Sequence, residues 1–165
     1  MNSLPATEGH KPRVFESLAA LEPLVGEDIA VSAWIEVSPE RIAKFAEATD
    51  DYQWIHLDAE RAARESPFGG VIAHGFLTLS LLAPLKYSAI DIRGVAMAVN
   101  YGANRVRFPA PLRAGTRVQG RFKLLKFEPI EGGAQLTWES TVIEEGATKP
   151  CCVAETITRC YTERR

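Results

Sequence analysis

Along most of the chain the apolar residues follow one of two rhythms, and the switches between them mark out the elements. Between residues 28 and 37, Ile29, Val31, Ala33, Ile35 and Val37 recur at every second position, the pattern of a strand with one buried face. Ser38-Pro39-Glu40 then supplies a capping hydroxyl, a first-turn proline and a first-turn acid. These predict a helix opening there, with Ile42, Phe45 and Ala46 on one face and an end near Thr49. Upstream, 14–24 has helical spacing, and residues 1–13 read as a loose N-terminal arm ahead of a single domain over 14–165. Downstream, apolar or alternating runs at 95–101, 104–108, 117–127, 135–144 and 151–162 are punctuated by Pro109, Pro111, Gly115, Gly132, Gly133, Gly146 and Pro150. Such spacing predicts a meander of antiparallel strands.

Between the two halves lies a different stretch. Residues 66–85 carry no formally charged side chain. A membrane span needs roughly 20 mostly apolar residues, and here Pro67, Gly69, Gly70, His74, Gly75, Thr78, Ser80 and Pro84 interrupt the run. It reads instead as a helix buried inside a globular protein. Within 72–83, Ile72, Phe76, Leu77, Leu79, Leu81 and Leu82 point in every direction around a helical wheel, leaving no broad solvent face. One strand, a few helices including this one, then a run of long strands is an α+β order. The predicted architecture is a curved antiparallel sheet wrapped around the 72–83 helix, since each must bury an apolar face against the other.

Composition narrows the partners. Of 165 residues, 46% are hydrophobic and 24% charged, enough apolar content for a core, and the net charge is −2. That charge gives no basic field for nucleic acid or an anionic membrane, so small molecules and proteins are the expected partners. Cys151, Cys152 and Cys160 match neither a disulfide framework nor a zinc spacing and read as apolar packing in a reducing compartment. The N-terminal residues lack a basic start followed by an apolar run, so a cytoplasmic location is expected.

The candidate chemistry concentrates between Thr49 and Gly75. T-D-D-Y-Q-W-I-H-L-D places Asp51 and His56 five residues apart, and A-H-G-F follows at the start of the buried helix. A carboxylate and an imidazole sharing one water or substrate can move protons both to and from it. Free N–H groups in a first helical turn can meet an oxyanion, and Gly75 leaves the backbone open to one. Each residue also has a structural reading: Asp51 as a turn cap, His56 as a satisfied core histidine, and His74 as a cover for the first turn. Gly75 can serve close packing, Ser80 can bond the carbonyl one turn earlier, and Trp54 can be packing. Asp51, His56 and His74 could in principle ligate a metal, but no H-E-x-x-H or C-x-x-C is present and none is expected.

Three linked segments carry a family resemblance: A-T-D-D-Y-Q-W-I-H, G-G-V-I-A-H-G-F-L-T-L-S-L-L and N-Y-G-A-N-R-V-R-F-P-A-P-L-R-A-G. Together they resemble the MaoC-like dehydratases, most closely the branch that includes nodulation protein N. The layout extends over 27–162 and the motifs over 47–116. The resemblance implies a hot-dog fold and hydration or dehydration of acyl thioesters. It also implies a homodimer, and no cofactor beyond the coenzyme A or acyl carrier protein that carries the substrate. In the D-x-N-P-x-H pattern of R-specific enoyl-CoA hydratases, Asp51 and His56 match while Gln53 and Trp54 replace Asn and Pro. Carried over by position, Asp51 and His56 hold the water, Gly75 supplies the N–H for the thioester oxygen, and Ser80 matches a serine near the site. Asp50 stands where Gly is common, and a second carboxylate would raise the proton affinity of Asp51 if the two faced each other. Hot-dog acyl-CoA thioesterases and non-catalytic acyl-binding or partner subunits are the alternative readings.

Overall fold

The computed structural model describes residues 10–162. Residues 1–9, most of the expected N-terminal arm, lie outside the described residues. Eight strands and five helices follow in the order β1 (Arg13–Phe15), a 3-10 turn (Leu18–Leu24), β2 (Asp28–Val31), β3 (Ile35–Val37), α1 (Pro39–Thr49), α2 (Trp54–Leu57), α3 (Ala59–Glu65), α4 (Gly75–Ser80), α5 (Leu82–Ala89), β4 (Ile90–Ile92), β5 (Val95–Arg107), β6 (Thr116–Ile130), β7 (Gly133–Glu144) and β8 (Cys152–Thr162). The main sheet runs β2-β6-β7-β8-β5, with β3 also on β6, and every pairing in it is antiparallel.

The sheet closes around α4 and α5 as expected. Leu77, Leu81, Leu82, Leu85 and Ala89 from the helices meet Phe122, Leu124, Leu136, Trp138 and Val142 from the strands in one buried core. Gly120 permits the close approach: a Cβ there would lie 3.1 Å from Leu85 Cβ and 2.9 Å from the Phe122 ring.

Several boundaries differ from the expectations, each for a tertiary reason. The helical spacing over 14–24 belongs to a strand and a 3-10 turn, because residues 13–15 pair in parallel with Ile90–Ile92, an added ribbon that local pattern does not reveal. The alternation over 28–37 is split in two by Ser32, fully buried, whose hydroxyl accepts from Gly120 N–H at 2.8 Å. The runs at 95–101 and 104–108 form one strand, β5, whose register slips between Asn100 and Gly102 and again between Ala103 and Arg105.

The buried helix starts later than residue 72 and runs beyond 83. Ile72 bridges to Arg113 and Ala73 N–H donates to Leu112 carbonyl at 2.7 Å, so both are extended. The helix then bends at Leu81, where Pro84 has no N–H to offer the Ser80 carbonyl. It is also not enclosed on every side: Phe76 and Tyr87 are 70% and 68% exposed, so one face of it is open in the single chain.

Candidate active site

Helix α1 begins as its sequence dictates, with the Ser38 hydroxyl accepting from Arg41 N–H at 3.3 Å. It ends at Asp50, the one non-glycine residue with positive φ (57°) among the described residues. A left-handed residue is the usual way to stop a helix and reverse the chain, which explains why glycine suits this position and shows Asp50 filling the same backbone role. The turn delivers Asp51 to the start of the candidate segment, followed by the single turn of α2 that carries His56.

His56 is 8% exposed and its Nδ1 lies 2.7 Å from the Ile72 carbonyl. A carbonyl only accepts, so Nδ1 carries the proton and Nε2 is left with its lone pair. Burial holds the His56 imidazole below its ordinary value, the nearby His74 adds to this, and the Ile72 hydrogen bond and Asp51 pull the other way. His74, 2% exposed, caps the N-terminus of α4; its Nε2 donates to the backbone carbonyl of Asp51 at 2.9 Å. The two imidazoles stack with centroids 3.8 Å apart, and Phe45 leans on His74 at 5.1 Å. The donor atoms of Asp51, His56 and His74 lie within 4.8 Å of one another. This is the one group among the described residues spaced for a metal ion, which His56 Nε2 and His74 Nδ1 would face; the other two nitrogens are tied to carbonyls.

Gly75 is the first residue of α4 and follows His74 directly. Its close-packing reason is visible: a Cβ at Gly75 would come within 2.9 Å of the Phe108 ring. Phe108 opens the segment 108–115, which clamps the site from behind. Ala114 N–H donates to the Val71 carbonyl at 3.0 Å, and Arg113 is held by Glu144, whose carboxylate accepts from its guanidinium at 2.9 and 3.0 Å. Glu144 is nearly buried, so the clamp is rooted in β7. The F-P-A-P-L-R-A-G segment thus fixes residues 71–75, including the carbonyl that orients His56.

Ser80 donates to the Phe76 carbonyl at 2.7 Å, one turn back, and does not touch Asp51 or His56. Instead it lines a cleft of about 1090 Å³ between α4–α5 and the inner face of the sheet, together with Leu79, Ala83, Lys86, Trp138 and Cys160. The sequence motifs therefore converge in part: Asp51 and His56 meet beside the start of α4, and Ser80, five residues along that helix from Gly75, stands on the wall of a cleft whose lining includes neither of them. His74, read from sequence only as a cover, proves to tie the Asp51 backbone to His56. Trp54 takes the Arg61 guanidinium over its ring at 4.4 Å, on the outside of the site. Asn104 bonds Glu155 at 2.6 Å, and Tyr101 lies under Arg159 at 3.5 Å.

The cysteines are buried and unpaired. Burial pushes the Cys151 thiol up to about 12 and the Cys152 thiol up to about 11. No helix among the described residues is long and apolar enough to cross a membrane.

Comparison with known proteins adds relatives to this geometry. The chain is 48% identical over 148 residues to 3-hydroxyacyl-thioester dehydratase Z of Mycobacterium tuberculosis, covering 89% of this chain and 97% of that one. It is 47% identical over 145 residues to nodulation protein N of Rhizobium leguminosarum, covering 86% and 89%. Its fold superimposes on the unliganded R-hydratase PhaJ1 of Pseudomonas aeruginosa with a TM-score of 0.70 at 22% identity, over 89% of this chain and 86% of that chain. Residues 20–145 match the model of the MaoC like domain. The chain belongs to the MaoC-like family, and its curved sheet closed around α4 and α5 is the hot-dog fold of its structural neighbours.

Proposed function

We propose that this protein catalyses the reversible hydration of trans-2-enoyl thioesters to (R)-3-hydroxyacyl thioesters, with coenzyme A or acyl carrier protein as the substrate's handle. The observation that carries the reading is the convergence of Asp51 and His56 directly beside the first N–H groups of α4. Water is held between the carboxylate and Nε2 of His56. Its hydroxyl adds to C3 and one proton is delivered to C2, so the net step moves a single proton and leaves the redox state unchanged. Charge that builds on the thioester oxygen is met by the Gly75 N–H, an interaction stronger in the transition state than in the bound substrate. The His56 side is ready for this work because its Nδ1 proton is committed to Ile72 and burial favours the neutral ring.

The acyl chain runs into the largely apolar cleft past Leu79 and Ser80. A second copy of the chain completes the enzyme. The reading is supported by β5, which pairs with β8 on one edge and with no described strand on the other. Met97, Val99 and Tyr101 are exposed along it, and Met97 shares the rim of the cleft with the exposed Tyr87 of α5.

The test is to mix purified protein with crotonyl-CoA and longer enoyl-CoAs and follow enoyl absorbance. Absorbance should fall without release of free thiol, and replacement of Asp51 with Asn or His56 with Ala should slow turnover by roughly a hundredfold or more. Thiol release would assign the site to thioester hydrolysis instead. Absence of any absorbance change across chain lengths would overturn the reading.

A further inference from the structure

The cleft is lined mainly by apolar side chains, yet a half-buried lysine stands among them. Lys86 projects from α5 toward the sheet, with its Nζ 4.7 Å from the Trp138 ring centroid and 5.5 Å from that of Phe122. Among the described residues it forms no ion pair; Asp91, the only carboxylate lining the cleft, does not pair with it. Trp138, 1% exposed, also contributes to the lining, and its indole N–H has no acceptor among the described residues. His10 Nε2, also on the lining, is buried and without a partner among the described residues. A buried indole N–H without an acceptor is uncommon and destabilising, and a lysine without an ion pair lines the same cleft, so the pair calls for a ligand that supplies an acceptor. Burial pushes the Lys86 ammonium down to about 7, so an acceptor with negative charge would restore the charged form and gain a charge-assisted hydrogen bond.

Position along the helix gives the reach. Lys86 is eleven residues beyond Gly75, a span of roughly 16 Å at the helical rise. Its side chain leans back toward the helix start, as side chains on a helix do. Leu79, Ser80, Leu82 and Ala83 line the cleft over the interval between the two.

We propose that Lys86 anchors a carboxylate at the far end of a medium-length acyl chain, so that the favoured substrates are enoyl thioesters of chains carrying a second, terminal acid. This deepens the reading above and rests on the acyl chain occupying the cleft. The anchor gives a role to a lysine that stands beside the core residues Leu85, Phe122, Leu136 and Trp138. The chemistry at C2 and C3 is unchanged by it. What changes is which chain is drawn into the cleft and held in register with Asp51 and His56.

The experiment compares enoyl-CoAs of matched length that end in a methyl group or in a carboxylate, in the intact protein and in Lys86→Met. The ratio of kcat/KM for carboxylate over methyl should exceed unity in the native protein at medium length and fall about tenfold or more in the variant, the scale of one charged hydrogen bond. Binding of the saturated, unreactive decanedioyl-CoA and decanoyl-CoA by calorimetry gives a second readout that needs no turnover. Tighter binding of the diacid form, lost in Lys86→Met, upholds the anchor even if hydration is not observed, in which case the reaction assignment alone fails. A native preference for the methyl-ended chain at every length, or a ratio that Lys86→Met leaves unmoved, overturns the proposal. Circular dichroism of the variant confirms that it is folded.

Discussion

Lys86→Met also makes a demanding prediction for stability, because the same burial that readies the lysine for an anion penalises the empty protein. In an unfolded chain the amine holds its proton up to its ordinary value of 10.5, whereas in the folded protein it releases it at about 7. Between these values the unfolded state binds more protons, so this group makes the fold more stable as pH rises from 7 to 10.5; below 7 its full penalty is present. At about 1.36 kcal/mol per pH unit, the gap from 10.5 to about 7 sets a ceiling of about 5 kcal/mol. Lys86 is only partly shielded from solvent on the cleft side, so a realised penalty of about 2–3 kcal/mol is expected at pH 6.5. Methionine has similar length and no charge, and fills the space between Trp138 and Phe122. Urea unfolding of the native protein and Lys86→Met at pH 6.5, 8 and 9.5 should show the variant more stable, with the gap shrinking as pH rises. A variant less stable than the native protein, or a gap independent of pH, would refute the reasoning.

Three further outcomes follow from the site. Replacing Asp50 by Gly removes the strain of a side chain at φ 57° and should stabilise the protein by up to about 1 kcal/mol in thermal unfolding, with hydration rate retained. Gly75→Ala should unfold at lower temperature, because its methyl meets the Phe108 ring at 2.9 Å, and the double variant with Phe108→Ala should regain much of that loss. The pH–rate profile should fall on its acidic side below pH 6.5, as His56 takes up a proton and ceases to act as a base. Because the folded value is the lowered one, the unfolded chain takes up the proton first, so stability is lost as pH falls from 6.5 toward the folded value and the unfolding temperature should drop over that window.

How much of this was legible in the sequence varies with the range of the interactions involved. The Ser38 cap, the end of α1 at Thr49 and the long strands rest on local chemistry and period, and the structure places them close to where the pattern does. The start of the buried helix does not, because Ile72 and Ala73 are captured by a segment about forty residues later in the chain. The same holds for the parallel ribbon of β1 and β4, whose partners are far apart in sequence. At the site, Asp51 and His56 could be picked out by residue type and spacing. His74 could not, since its role depends on stacking with one of them and hydrogen bonding to the backbone of the other. Lys86 gave no signal at all: a lysine one position after a leucine on a helix reads as a solvated edge until the sheet is seen to cover it.

The three thiols of the last strand and its approach have a practical consequence. Cys152 and Cys160 lie near opposite ends of β8, which is flanked by β7 on one side and β5 on the other, and Cys151 donates to the Val142 carbonyl of β7. With their values pushed upward they are almost wholly protonated near neutral pH, and burial keeps reagents away. Alkylation of Cys152 therefore proceeds only through openings that detach β8 from its neighbours, whereas Cys160, which lines the cleft, is also approached from that side, so a ligand filling the cleft leaves strand opening as the route to both. With the cleft filled, equal rates at Cys152 and Cys160 would mean that the strand leaves as one cooperative unit; faster labelling at Cys160 would mean that the C-terminal end, paired with Ala98 of β5 and Ala134 of β7, frays first.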